Sequence, residues 1–429
     1  MNIRLWPWAL LGLALVPALL ITIPKPHVVE PSPAQTTLVE VIWAMPQNLD
    51  PALASTPADW QVDDNVFEPL LSETSAGQVV PGAASLVTFQ GHTVTVVVGS
   101  HKLANNRSLT ASTVEEALAR PLLPTVNSPV ARVLLRNVVG YRSVISGHQN
   151  YLSGIRVVSK NTLTITLKTP ASLGFLRNLA NPALSIVPLS DQVQGGPNWQ
   201  FTNLLGTGGY RLTNWVPLDH LSFQRVTGSG PTRVDLELYS SFHLALLGFI
   251  NKTVTVLPVP ANQLAAMPTR LSRQVTFLPT PGTLSLFWGA KSPHASTYPV
   301  KAPVRQWVDR AFAGRVSALG YSWPSGMPAG HPMTVWVNGQ DTAAVVLARS
   351  LAHLTAGKVS VRVSSASQIR ALASSGQIAA YIGTQNWFKA GKTLPLMHRG
   401  NFWLWNQDVL SATSFANGAL NWHSITFRG

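Results

Sequence analysis

Few residues in this 429-residue chain have the chemistry for catalysis. Cysteine is absent, which removes thiolate nucleophiles, disulfides, Cys-ligated zinc, iron–sulfur clusters and lipid attachment through a thiol. Its 11 histidines are dispersed, and no two stand at the i, i+4 spacing that would put both rings on one helix face. The two nearest in the folded part, His92 and His101, read as parts of a surface hairpin rather than as ligands of a shared metal. Two carboxylate pairs, Asp63–Asp64 and Glu115–Glu116, have the residue types for acid–base work. Glu115–Glu116 stands early in a helical pattern, where anions meet the helix dipole favourably. Asp63–Asp64 precedes the apolar Val66–Phe67 and is also expected to start a helix. There is no G-x-S-x-G elbow, no H-E-x-x-H helix and no G-x-x-x-x-G-K-[ST] phosphate loop. The cluster Gly206–Thr207–Gly208–Gly209 lacks G-x-G-x-x-G spacing and runs into the strand-like Tyr210–Arg211–Leu212, so it is a turn. No catalytic set, metal site or cofactor loop is expected, and the chain does not read as an enzyme.

Charge narrows the partners. Lysine and arginine number 31 and aspartate and glutamate 17, a net charge of +14. Charged residues are 11% of the chain, against roughly 25% in ordinary soluble proteins. The excess therefore arises from scarce acids. The bases are scattered, the densest groups being of the kind Arg305, Arg310 and Arg315, with no basic run for a phosphate backbone. Nucleic acid is not an expected partner. Scarce carboxylates suit an acidic extracellular setting, where protonated carboxylates would stabilise little. A hydrophobic share of 46% excludes disorder as the main state.

The elements that must position a site alternate between strand and helix. Leu5 to Ile23 (LWPWALLGLALVPALLITI) carries no charge and reads as a signal peptide or an N-terminal membrane anchor over residues 1–24. A Pro-rich linker follows over 25–36. Leu38–Trp43 and Thr93–Val98 are expected strands, and Thr110 is the expected cap of a helix reaching Arg120. Ile155–Lys168 and Leu212–Arg225 alternate with period two around turns and are expected hairpins. Val234–Tyr239, Val254–Val259, Thr334–Val337, Val359–Val363 and Ile378–Ile382 are further strands, with helices at Ala245–Ile250 and Thr342–Leu354. Such alternation predicts mixed α/β lobes.

The stretch Asn203–Arg225 (NLLGTGGYRLTNWVPLDHLSFQR) resembles a turn-and-strand block of the family 5 extracellular solute-binding proteins, the peptide- and nickel-type binding components of ABC importers. The family's form is G-T-G-P-Y-x-[LV] followed by W-x-P-G-D; here Gly209 replaces the usual proline and Leu218 the usual glycine. Other blocks resemble the family in the same order. They are Leu49–Asp50–Pro51, Asn65–Leu70, Val80–Ala84 and Leu103–Arg120, the last matching at Leu109, Thr110, Ala111, Val114 and Arg120. Val304–Ala313, Leu394–His398 and Asn421–Phe427 complete the series, so the resemblance spans about residues 37–429.

That resemblance implies an α/β, periplasmic-binding-protein-like fold of two lobes (type II, with an extra insert domain) and a hinge between them. Lobe I would comprise 36–50, 150–235 and 393–429, the insert 51–149, and a reduced lobe II 236–392. It also implies capture of a small, oligopeptide-like solute in an interlobe cleft and delivery to ABC permease subunits in the membrane, by a monomer outside the cytoplasm that needs no cofactor. A membrane-tethered receptor uncoupled from transport, or an extracellular hydrolase on another fold, is the alternative. Trp43, Met45, Trp288, Tyr381, Asn386 and Trp387 are the expected ligand-binding residues: the first two follow the first strand, Trp288 lies on a strand returning to the cleft, and the rest lie in or beside a shortened loop. In peptide-binding relatives an aspartate near that loop receives the ligand's ammonium. This chain has no acid between Asp341 and Asp408, and it also lacks the family's lipoprotein cysteine.

Overall fold

Period-two alternation in strand β1 (Thr37–Ile42) sends Leu38 and Ile42 into one core and Val41 into another, so both faces of its sheet are covered. In the computed structural model, residues 36–428 are described, apart from 102, 104–106, 189–205, 290–303, 313, 317, 320–332, 356–357 and 390. The expected leader or anchor and all but the last residue of the linker lie outside the described residues. Thr36–Gly429 form one unit. Among the described residues no helix is long and apolar enough to cross a membrane.

After β1 come helix α1 (Pro57–Val66), the short hairpin β2 (Leu71–Glu73) and β3 (Val79–Pro81), and the hairpin β4 (Ala84–Gln90) and β5 (Thr93–Val98). Helices α2 (Ala111–Ala119), α3 (Pro129–Leu134) and α4 (Tyr141–Ile145) lead to the hairpin β6 (Ile155–Ser159) and β7 (Thr162–Thr166), then α5 (Leu173–Leu179). The meander β8 (Tyr210–Val216), β9 (His220–Arg225) and β10 (Arg233–Leu238) precedes α6 (Phe242–Ile250), β11 (Val256–Val259), α7 (Thr269–Ser272) and β12 (Thr276–Gly289). The chain continues through α8 (Val304–Phe312), β13 (Met333–Asn338), α9 (Thr342–Leu354), β14 (Val359–Ser364), α10 (Ala366–Ser375) and β15 (Ala380–Gly383). It closes with β16 (Gly391–Trp405), β17 (Val409–Ser414) and β18 (Leu420–Phe427).

Ten strands make one mixed sheet in the order β14-β13-β15-β12-β16-β11-β1-β10-β9-β8. Its centre is the long antiparallel pair β12–β16, whose register shifts between Thr280 and Thr283. Gly282 stands at that bulge with φ +95°, in the left-handed region open to glycine. Toward one edge β1 runs parallel to β10 from Thr37↔Arg233 to Ile42↔Leu238; toward the other, β13 runs parallel to β14 and β15.

Two expectations change. The hairpin β6–β7, expected in lobe I, instead pairs with β5 in a separate sheet, β4-β5-β7-β6. Its core extends from Leu70 to Ile186, while Val62, Val66 and Phe67 pack with β1 and β10, so this subdomain begins near Leu70 rather than at residue 51. The cause is that apolar residues at alternate β7 positions, Leu163 and Ile165, meet Val94 and Val96 across the β5 ladder. Second, Asp63–Asp64 does not start a helix. Thr56 does: its hydroxyl accepts from Asp59 N–H while the Asp59 carboxylate accepts from Thr56 N–H, a capping box followed by Pro57.

The turn at 206–209 is set by close approach. A Cβ on Gly206 would lie 1.7 Å from the Val66 carbonyl oxygen. Leu218, in the β8–β9 turn, adopts φ +62° and is 82% exposed, which explains why glycine suits this position.

One ion pair links two of the sequence blocks. Arg120, after α2, donates to both Asp50 oxygens at 2.7 and 2.5 Å, and both residues are buried. Replacing Arg120 with Met leaves a buried carboxylate uncompensated; chemical denaturation should show a loss of about 3–5 kcal/mol, partly restored by also changing Asp50 to Leu. Leu218→Gly relieves the left-handed strain and should raise stability by about 0.5 kcal/mol in the same assay.

Candidate functional site

A cavity of about 720 Å³ opens where strands β1, β11, β13 and β15 end. The segments leaving their carboxyl ends supply Trp43 and Ala44, Pro260 and Ala261, Gln340 to Ala343, and Thr384. Helix α1 adds Pro57, Trp60 and Gln61, and the central strands add Thr280, Leu284, Met397 and Arg399. The wall is largely apolar with a few polar groups converging on it, a composition suited to holding a small molecule.

The α1 wall is positioned by buried polar bonds. Asp59 accepts from four backbone N–H groups, those of Gln47, Asn48, Ser55 and Thr56, and so shapes the loop between β1 and α1. One turn apart on α1, Gln61 and Asn65 pair with the β18 backbone. Gln61 Oε1 accepts from Leu420 N–H at 2.7 Å, and Asn65 Oδ1 accepts from Trp422 N–H at 3.0 Å. Both amide nitrogens donate to the Leu420 carbonyl at 3.0 Å. Glu40, on β1, accepts from Trp422 Nε1 at 2.8 Å and Gln61 Nε2 at 3.3 Å.

Burial favours the protonated form of several acids in and beside this wall. Burial pushes the Glu40 carboxyl up to about 8, although the Trp422 hydrogen bond pulls the other way. Asp63, fully buried, is raised well above the ordinary range by burial and then by Asp64, Asp50 and Asp59. Among the described residues neither of its oxygens has a hydrogen-bond partner. Burial also raises Asp64 and Glu68 to about 7 each, and lowers the imidazoles of His101 and His423.

Of the expected ligand-binding residues, Trp43 lines the cavity, 38% exposed and 6.3 Å from the Phe242 ring. Met45 is half-buried against the core of α1 and β18. Trp288 is buried in the core of α8 and α9. Tyr381 is fully buried, stacked between Phe287 and Trp387 with both ring centroids at 5.1 Å. Its hydroxyl donates to the Gln385 carbonyl at 2.6 Å and accepts from Trp387 N–H at 2.5 Å. Asn386 caps the same loop by accepting from Phe388 N–H at 3.1 Å. The shortened loop is thus closed on Tyr381, and Thr384 carries it to the cavity. Sequence reasoning passed over Glu40, Trp60, Asp341 and Arg399. Glu40 had a signal, as a single acid inside an apolar strand. Among the described residues no group of three or more His, Asp or Glu is arranged to hold a metal.

Residues 101–238 match the family profile described as "Bacterial extracellular solute-binding proteins, family 5 Middle". That stretch is similar to family 5 solute-binding sequence. Over 194 residues the chain is 26% identical to the periplasmic oligopeptide-binding protein OppA of Salmonella typhimurium, covering 44% of this chain and 36% of OppA. It is 29% identical over 184 residues to the periplasmic murein peptide-binding protein MppA of Escherichia coli, covering 42% of this chain and 34% of MppA. These alignments span about a third of each curated relative. The unliganded open form of MppA superposes with a TM-score of 0.69 at 16% identity, covering 92% of this chain and 98% of that one. The fold is the two-lobed α/β architecture of such proteins.

Glu40 contributes most stability while its proton is favoured by folding. That contribution is complete below about pH 4.5 and lost as pH rises through about 8; Asp64 and Glu68 follow the same course toward about 7. His101 and His423, favoured neutral, destabilise as pH falls below 6.5. Unfolding free energy should therefore be highest at about pH 4.5 or just below, because the three acids outnumber the two histidines, and fall by a few kcal/mol by pH 8. Glu40→Gln should flatten that decline.

Proposed function

We propose that this protein is the extracytoplasmic solute-binding component of an ABC importer. It captures a small, oligopeptide-like solute in the cavity and presents it to permease subunits. The observation that carries this reading is the cavity's place at the carboxyl ends of β1, β11, β13 and β15, the position at which α/β sheets bind ligands. The names of OppA and MppA, both periplasmic peptide-binding proteins, support it.

On this reading the chain has no catalytic task. One wall of the site is β1 with α1, the other is the α9 end of β13 with β15, and β12–β16 run through both. Closure of the walls on a solute follows from its tighter binding to the closed form. A micromolar solute supplies about −8 kcal/mol, more than enough for a lobe motion costing a few. The described body would work outside the cytoplasm, released or held by the N-terminal apolar segment.

Native mass spectrometry of protein purified from its own host should show a retained solute. Trp43→Ala should weaken binding of that solute at least about tenfold by titration calorimetry while leaving the unfolding midpoint nearly unchanged. An unaltered affinity would remove the cavity from consideration. Binding without stimulation of a reconstituted permease ATPase would favour the tethered receptor instead.

A further inference from the structure

Among the described residues, three ionisable side chains line the cavity: Glu40, Asp341 and Arg399. They differ in what else they do. Glu40 is buried, and its Oε2 is taken up by Trp422 and Gln61. Asp341 is the N-cap of α9, its Oδ1 accepting from Ala344 N–H at 3.0 Å, so its charge faces a helix N-terminus that offsets it. Arg399 stands on β16 opposite Thr280, beside the bulge at Gly282. Its side chain is exposed and makes no hydrogen bond or ion pair among the described residues.

The rest of the polar lining is neutral, with Asn338, Gln340, Thr342, Asn401 and Asn417 among it. The end of β15 presents Thr384, and no acid follows in the sequence until Asp408. Among the described residues Arg399 is thus the one cation lining the cavity, and it has no ion-pair partner there, whereas the Asp341 carboxylate already caps a helix. A guanidinium offers two parallel N–H donors to a carboxylate and repels an ammonium.

We infer that Arg399 reads a carboxylate on the solute, and that the site selects anionic solutes, such as peptides with a free carboxyl end and a blocked amino end. This rests on the cavity being the solute site proposed above. A solute's charged amino end meets, among the described lining, only the Asp341 carboxylate that caps α9, and its carboxylate supplies the fixed point from which the apolar wall around Trp43 and Trp60 measures the remainder.

Calorimetric titration of the full chain with trialanine, N-acetyl-trialanine and trialanine amide tests the inference. N-acetyl-trialanine should bind at least as tightly as trialanine, and the amide about 10- to 100-fold more weakly than the acetylated peptide. Arg399→Gln should weaken the two carboxylate probes by a similar factor and leave the amide unchanged; Arg399→Lys should keep part of the preference. If the amide binds as well as the acid, or acetylation abolishes binding, the inference is wrong while the peptide-binding reading stands. If none of the three binds, the oligopeptide reading falls and takes this inference with it.

Discussion

A carboxylate and a guanidinium withdrawn from water each lose several kcal/mol of hydration, and only near-ideal geometry restores it. Asp50 and Arg120 meet that demand with two short parallel contacts, in a position where little else could. Arg120 closes the helix that packs on the β4–β7 subdomain, and Asp50 belongs to the loop that enters α1. The pair therefore holds the subdomain to the sheet and fixes where that loop begins. From there the dependence runs outward. Asp59 gathers four backbone N–H groups of the loop, α1 docks on β18 through Gln61 and Asn65, and the cavity wall from Trp43 to Gln61 follows.

The few acids are placed unlike those of an ordinary protein. Glu40, Asp50, Asp59 and Asp63 are buried, and these four among 17 do structural work that needs either a proton or a full set of donors. Those kept protonated lose stability as pH rises, which accords with the acidic setting that the charge deficit suggested. Scarcity of acid leaves the net charge at +14, and among the described residues the cavity's Arg399 has no ion-pair partner.

Much of the architecture was legible from local pattern. The capped helix after Thr110, the hairpins around 160 and 218, and the separate strands β13 and β14 follow from propensity, capping and period-two alternation, which act over a few residues. Leu218 even announced its strain, since a bulky residue stood where a turn needs positive φ. Partner choice was less legible. The hairpin β6–β7 has the same alternation whether it pairs within one lobe or joins β5, because alternation specifies a face and not a neighbour.

The same limit governed the candidate site. Aromatic residues near a predicted cleft satisfy packing and binding equally well in sequence, so Trp43, Trp288 and Tyr381 look alike there. Long-range packing separates them: Phe287 and Trp387 enclose Tyr381, the α8–α9 core encloses Trp288, and Trp43 is left at the mouth of the cavity. The sequence by itself determined the α/β class and the order of the blocks that resemble the family, because each depends on residue type and short spacing. Only the tertiary structure decided which charges share the cavity. Asp341 and Arg399 lie on different elements, and whether each is already satisfied depends on a helix end in one case and a sheet bulge in the other.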